Sequence, residues 1–128
     1  MLRRIRAQSY RVQNYRKLLV WQKAHALAVR VKETTDARRR DRTGVLSQAC
    51  RASLSISSNI SEGCTRRTDR DFAKFIQVAI ASSTEVEYQL EYARDTQILK
   101  RREAEPLLLQ VVEVRRMLYG LLKKLRDH

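Results

Sequence analysis

The stretch DRDFAKFIQVAIASSTEVEYQLEYAR, residues 69–94, decides the fold. Phe72, Phe75, Ile76, Ala79, Ser83, Val86, Leu90 and Ala93 recur at the three- and four-residue spacing of a single helix face. Thr68 stands in front as an N-cap. Asp69 and Asp71 fall in the first turn, where a negative charge suits the helix dipole. The segment therefore predicts a helix with one buried stripe. A second stripe lies on its far side, made of Val78, Ala81, Tyr88 and Tyr92, with Lys74 and Glu85 among them. A helix of a monomeric bundle needs only one apolar face, and large exposed apolar patches are rare on monomers. The far stripe is read as a contact with another copy of the chain. The plainer reading is that tyrosines tolerate exposure and the stripe is merely mixed.

The same periodicity extends outward in both directions. Residues 43–63 predict a helix with Leu46, Ala49, Cys50, Ser53, Ile56, Ser57 and Ile60 inward. Its back face carries Gln48, Arg51, Ala52, Ser55, Asn59 and Glu62, which is polar but compact and poor in cations for so basic a chain. This face is expected to be half-buried against another subunit, with Glu62 and Glu85 meeting Arg51 or neighbouring amides. Gly63 suits a left-handed helix end. Residues 18–34 predict a helix with Val20, Ala24, Leu27, Ala28 and Val31 on one stripe. Trp21 beside them reads as a packing anchor in preference to a base-stacking platform. Residues 101–126 predict the last helix, with Leu107, Val111, Val114, Leu118, Leu121, Leu122 and Leu125 inward. Pro106 is expected in or near its first turn, since a proline deeper inside would break it. Four amphipathic helices with short connections give an all-α, antiparallel up-down-up-down four-helix bundle over 17–128, preceded by a basic arm over 1–16.

At 128 residues and 15.0 kDa the chain has room for one domain, and 43% apolar residues suffice for a core. Lys and Arg number 27 against 14 Asp and Glu, a formal charge of +13. Such a charge attracts polyanions at long range. Nucleic acid is the first candidate, an acidic protein the second and an anionic membrane surface the third. No apolar run spans a bilayer and no secretory signal is evident, so a cytoplasmic protein is expected.

In an up-down bundle the first and third connections share one end. That end collects Arg38, Arg39, Arg40 and Arg42 with Lys100, Arg101 and Arg102. The other end collects the arm, Arg66, Arg67 and Arg70, and the tail cations Lys123, Lys124 and Arg126. Both ends are expected to hold phosphates without reading bases. The few aromatics lend little support to stacking on single-stranded bases.

No catalytic constellation is visible. His25 and His128 are far apart, and neither has a metal-ligand spacing. A di-iron bundle would need Glu-x-x-His pairs, which do not occur. The chain is read as a non-enzyme without cofactor or metal. Cys50 and Cys64 are placed on one helix, too far apart for a disulfide and behaving as small apolar residues.

Several segments, in order, carry a family resemblance: Tyr15-Arg-Lys-Leu-Leu-Val-Trp-Gln-Lys-Ala24, Gly44-Val-Leu-Ser-Gln48, Arg51-Ala52, Ser55-Ile56, Asn59-Ile-Ser-Glu-Gly63, Phe72 to Phe75, and Ser83-Thr-Glu-Val-Glu-Tyr-Gln-Leu90. Together they resemble the four-helix bundle proteins encoded in intervening sequences of bacterial 23S ribosomal RNA genes, often labelled S23 ribosomal proteins. The resemblance covers about residues 15 to 125. It implies a homopentamer. It also implies kinship with the accessory proteins of diversity-generating retroelements, basic barrels that associate with a reverse transcriptase and bind nucleic acid. It implies no settled activity, and the label reflects gene location. Two departures stand out: Thr35-Asp36-Ala37 replaces a Phe-Pro step, and Cys50 replaces the first of an arginine pair. The leading expectation is a noncatalytic oligomer that binds RNA or an RNA–DNA hybrid through phosphate contacts. The alternatives are a scaffold for an acidic protein or a reverse transcriptase, and a structural self-assembly without a polyanion ligand.

Overall fold

A computed structural model describes residues 14–38, 41 and 43–127. A 3-10 turn at Tyr15–Lys17 leads into α1 (Leu19–Asp36), α2 (Val45–Gly63), α3 (Asp69–Asp95) and α4 (Arg101–Arg126). Among the described residues there is no strand. Each helix packs on its sequence neighbours, α2 on α3 most extensively, and α1 closes against α4. This is the up-down-up-down bundle that the four apolar stripes predict.

The core is one cluster drawn from every helix. Leu27, Leu46, Ile56, Ile60, Phe72, Ile76, Leu90, Leu107 and Leu118 are among its fully buried members. Small residues fill the seam where α2 meets α3: Ala49, Ala52, Ser53, Ser82 and Ser83 are buried, and the hydroxyls of Ser55 and Ser82 hydrogen-bond across it at 2.9 Å. Short side chains let the two backbones approach closely, and the hydroxyls are satisfied inside the seam or by carbonyls one turn back, as Ser53 on Cys50 and Ser83 on Ile80. Arg115 clamps α4 to α3 through both oxygens of Glu87, at 2.8 and 3.3 Å. Lys23 reaches Glu113 at 3.3 Å, and Arg30 donates to Gln110 at 3.0 Å, tying α1 to α4.

Several local expectations need correction. Ala52 is buried and not on the back face of α2, because it faces the α3 seam. Ala28, Cys50 and Phe75 are only half-buried. Gly63 is not left-handed; it is the last residue of α2, and it is small because a Cβ there would meet two ring carbons of Phe72 at 2.6 and 2.8 Å. Among the described residues the left-handed positions are Gly44 (φ 74), which precedes α2, and Gln97 (φ 65), which follows α3. Pro106 sits in the second turn of α4, five residues past Arg101, and the helix continues through it. A proline there removes only the bond to the Arg102 carbonyl near the helix start. Cys64 lies one residue beyond α2 and is buried, with burial pushing its thiol up to about 11. Cys50 is also free and donates from Sγ to the Thr35 hydroxyl at 3.2 Å.

Side chains fix the starts of α2, α3 and α4. Thr68 caps α3, its hydroxyl accepting from the Asp71 amide at 3.1 Å. Asp41 caps α2, accepting from the Leu46 amide at 2.8 Å and from the amide and hydroxyl of Thr43 at 3.1 and 2.6 Å. Burial alone would raise the Asp41 pKa, but these donors hold it below the usual carboxylate range. At the start of α4, Glu103 accepts from the Lys100 amide at 2.9 Å.

Candidate nucleic-acid interface

The two ends of the bundle are unequal in charge among the described residues. One end holds the α1–α2 and α3–α4 connections. There Arg38 is not free for a ligand: it donates through Nε to Glu103 at 3.1 Å and closes a second contact to the same carboxylate through Nη2. This pairing, with the Lys100 amide, holds the Glu103 carboxyl below its ordinary range. Arg94 is likewise engaged, with Asp95 at 3.0 Å and Glu105 at 3.6 Å. Lys100, Arg101 and Arg102 are exposed. Arg39, Arg40 and Arg42, also expected at this end, lie outside the described residues.

The opposite end gathers the 3-10 turn, the α2–α3 connection and the tail of α4. Arg16, Lys17, Arg66, Arg67, Arg70, Lys123, Lys124 and Arg126 are all exposed there, against Asp69, Asp71 and Asp127. Arg66 lies over the ring of Phe75 at 4.7 Å, and Arg16 over that of Tyr15 at 4.6 Å, so two of these cations are held in place by aromatic faces. Residues 1–13, the rest of the expected basic arm, lie outside the described residues, as does His128.

The expected subunit surface is only partly apolar. On α3, Tyr88 is 65% exposed, Val78 49% and Tyr92 38%, with the two tyrosine rings 6.5 Å apart. Ala81 and Glu85 are exposed on the same helix, and Gln48, Arg51 and Glu62 on α2. Ser55 and Asn59 are half-buried and bonded to each other, the Asn59 amide donating to the Ser55 carbonyl at 2.8 Å. Within the protomer Glu85 accepts from the Gln89 side-chain amide at 3.2 Å. Gln89 is itself buried, and its Oε1 finds no partner among the described residues. Sequence reading missed Leu54, which is as exposed as these, and the outward apolar residues of α1 and α4: Leu19, Val29, Leu109 and Tyr119. The signal was present in each helix as an apolar residue opposite the main stripe, outvoted by the charges beside it.

Geometry of this kind defines a class: a basic antiparallel four-helix bundle with cations crowded at one end and apolar side chains left outside its single core. The particular family follows from comparison. The family description that matches is "23S rRNA-intervening sequence protein", over residues 16–120, and the chain belongs to that family. Its fold is similar to the crystal structure of a protein of unknown function from the S23 ribosomal protein family of Bacteroides thetaiotaomicron VPI-5482. The TM-score is 0.77 at 24% identity, over 82% of this chain and 99% of that one. No functionally curated protein matches. No described helix is long and apolar enough to cross a membrane.

Proposed function

We propose that this protein is a noncatalytic, self-associating nucleic-acid-binding protein that grips the phosphate backbone with the end of the bundle formed by the 3-10 turn, the α2–α3 connection and the α4 tail. The carrying observation is the exposure of Arg16, Lys17, Arg66, Arg67, Arg70, Lys123 and Lys124 around that one end. The end with Arg38 and Arg94 is the weaker candidate, since both guanidiniums already serve acids of the fold. Cations on connections and helix tips suit backbone contacts, which position a nucleic acid without specifying its sequence. The outward Val78, Tyr88 and Tyr92 of α3, with Leu54 of α2, supply the surface for assembly with further copies. Assembly would multiply the basic end and raise avidity for a long polyanion.

The test is a salt titration of RNA and DNA binding. Log K should fall linearly with log salt, and Arg66→Ala/Arg67→Ala/Arg70→Ala should flatten the slope while helicity is retained. Undetectable affinity at about 50 mM salt, where backbone contacts are strongest, would defeat the reading. An affinity insensitive to the triple substitution, but lost on neutralising Lys100, Arg101 and Arg102, would move the site to the other end. If an acidic protein is the ligand instead, neither RNA nor DNA binds in this titration.

A further inference from the structure

Four residues at the start of the bundle form a continuous ladder. The Arg16 guanidinium lies over the Tyr15 ring at 4.6 Å. Tyr15 meets Trp21 edge-on, centroids 4.9 Å apart at 63°. Trp21 then stacks face to face with His25, centroids again 4.9 Å apart and planes within 6°. Trp21 and His25 are four residues apart on α1, which places them one above the other on a helix surface. Tyr15 and Trp21 are half-buried against the core, whereas His25 is exposed. Core packing therefore fixes the lower rungs and leaves an imidazole in solvent, parallel to the indole beneath it.

We infer that this ladder is a stacking platform for an unpaired nucleobase, so that the basic end prefers single-stranded RNA or DNA to duplex. The inference rests on the reading of that end as a phosphate site and adds to it the form of nucleic acid bound. Proteins that hold single strands combine a cationic track for the backbone with rings on which bases stack. Both parts meet here. Arg16 and Lys17 belong to the turn that opens the ladder, and His25 lies about 9 Å further along the axis, at 1.5 Å per residue from the first residue of α1. That distance is within the reach of one or two nucleotides from a phosphate held at the end. A duplex keeps its base faces stacked on one another and has none to offer the imidazole. Trp21 is thus the packing anchor expected of it and also the rigid backing that keeps His25 flat.

The chain contains one tryptophan, so its fluorescence reports on the ladder alone. The full-length protein is titrated with hairpin-free single-stranded RNA and DNA oligomers, with the matching duplexes, and with heparin, a polyanion without bases. Single strands should quench Trp21 emission and bind more tightly than duplex. His25→Ala should weaken single-strand binding roughly five- to hundredfold, the range for losing one base–aromatic stack. The same variant should leave heparin affinity within about twofold, and His25→Tyr should restore single-strand binding. Unequal effects on RNA and DNA would assign the natural strand. If His25→Ala binds single strands as the unaltered protein does while heparin and duplex also bind, the platform is refuted and the phosphate site stands. If nothing anionic binds, both readings fall.

Discussion

Replacing Gly63 by alanine tests the packing logic of the bundle most directly. The new Cβ would lie 2.6 Å from Cδ1 and 2.8 Å from Cε1 of Phe72, and 3.2 Å from Cβ of Phe75. Carbon atoms rest at about 3.5–4.0 Å, so ring and helix must separate by nearly an ångström. Phe72 is 0% exposed and cannot swing into solvent. Overpacking of this kind costs about 1–3 kcal/mol. Alanine returns up to about 1 kcal/mol through helix propensity, and less at the last residue of a helix. A net loss of about 1–2 kcal/mol follows.

Gly120 supplies the control. It lies inside α4 with nothing within 4 Å of a built Cβ, so the same substitution there should stabilise by about 0.5–1 kcal/mol. Both variants narrow the unfolded chain to a similar degree, so their difference isolates the native-state clash. At about 4 °C per kcal/mol for a domain near this size, the two melting temperatures should differ by roughly 6–12 °C. Melts are compared at equal protein concentration, because self-association would make Tm depend on it. A Gly63→Ala protein that melts at or above the unaltered one would show that Phe72 does not pack against α2 as described.

Other outcomes are open to measurement. Tyr88→Arg places a charge on the most exposed apolar residue of α3; it should shift elution on a sizing column to a smaller species, and an unchanged volume would move the assembly surface elsewhere. Glu103 is held below its ordinary value of 4.5, first by the Arg38 hydrogen bond, so its contribution is fully present above that value and disappears as pH falls through the lower folded-state value. Glu103→Gln should therefore reduce stability at neutral pH and flatten the acid limb of a stability–pH curve, with parallel curves as the contrary result. Cys64, whose thiol burial raises to about 11, should resist maleimide at pH 8 in the folded protein, while half-buried Cys50 reacts first; equal labelling would contradict the buried position. Gln97→Gly relieves a left-handed residue after α3 and should stabilise by about 0.5–1 kcal/mol in a denaturant melt, a gain that would be absent if that turn were extended.

The bundle was legible because its signal is redundant. Each of the four stripes repeats over several turns, so a misplaced residue such as Ala52 leaves the helix and its facing unchanged. Points where a single contact decides the conformation were not legible. Gly63 carried the usual mark of a left-handed stop, yet its smallness answers Phe72, a residue in the next helix. The turn after α3 has no glycine to announce it, and Gln97 takes the left-handed position instead. The ladder lay between these cases. Trp21 and His25 have helical spacing in plain view, but the parallel stacking that makes them a platform depends on rotamers set by Tyr15 and the core.

Charge shows the same division between what adds and what pairs. Along the sequence the two ends look alike, since each has clustered cations on its connections. Folding separates them, because the α3–α4 corner also delivers Asp95, Glu103 and Glu105, and all three carboxylates reach arginines, Arg38 of the α1–α2 connection and Arg94 of α3. At the other end Asp69 and Asp71 sit in the first turn of α3, where the helix dipole already favours an acid. Lys123, Lys124 and Arg126 occupy the last turn of α4, where it favours a cation. Dipole interactions of this kind amount to only about 0.3–1 kcal/mol and are screened by salt, leaving those side chains able to turn toward a phosphate. A cation fixed in an ion pair must surrender its partner first. At the other end Arg16 reaches Asn14 Oδ1 at 3.4 Å and Lys74 reaches Asp71 at 3.6 Å, longer contacts between exposed side chains than the Arg38–Glu103 and Arg94–Asp95 pairs that the α3–α4 corner would have to break to engage a polyanion.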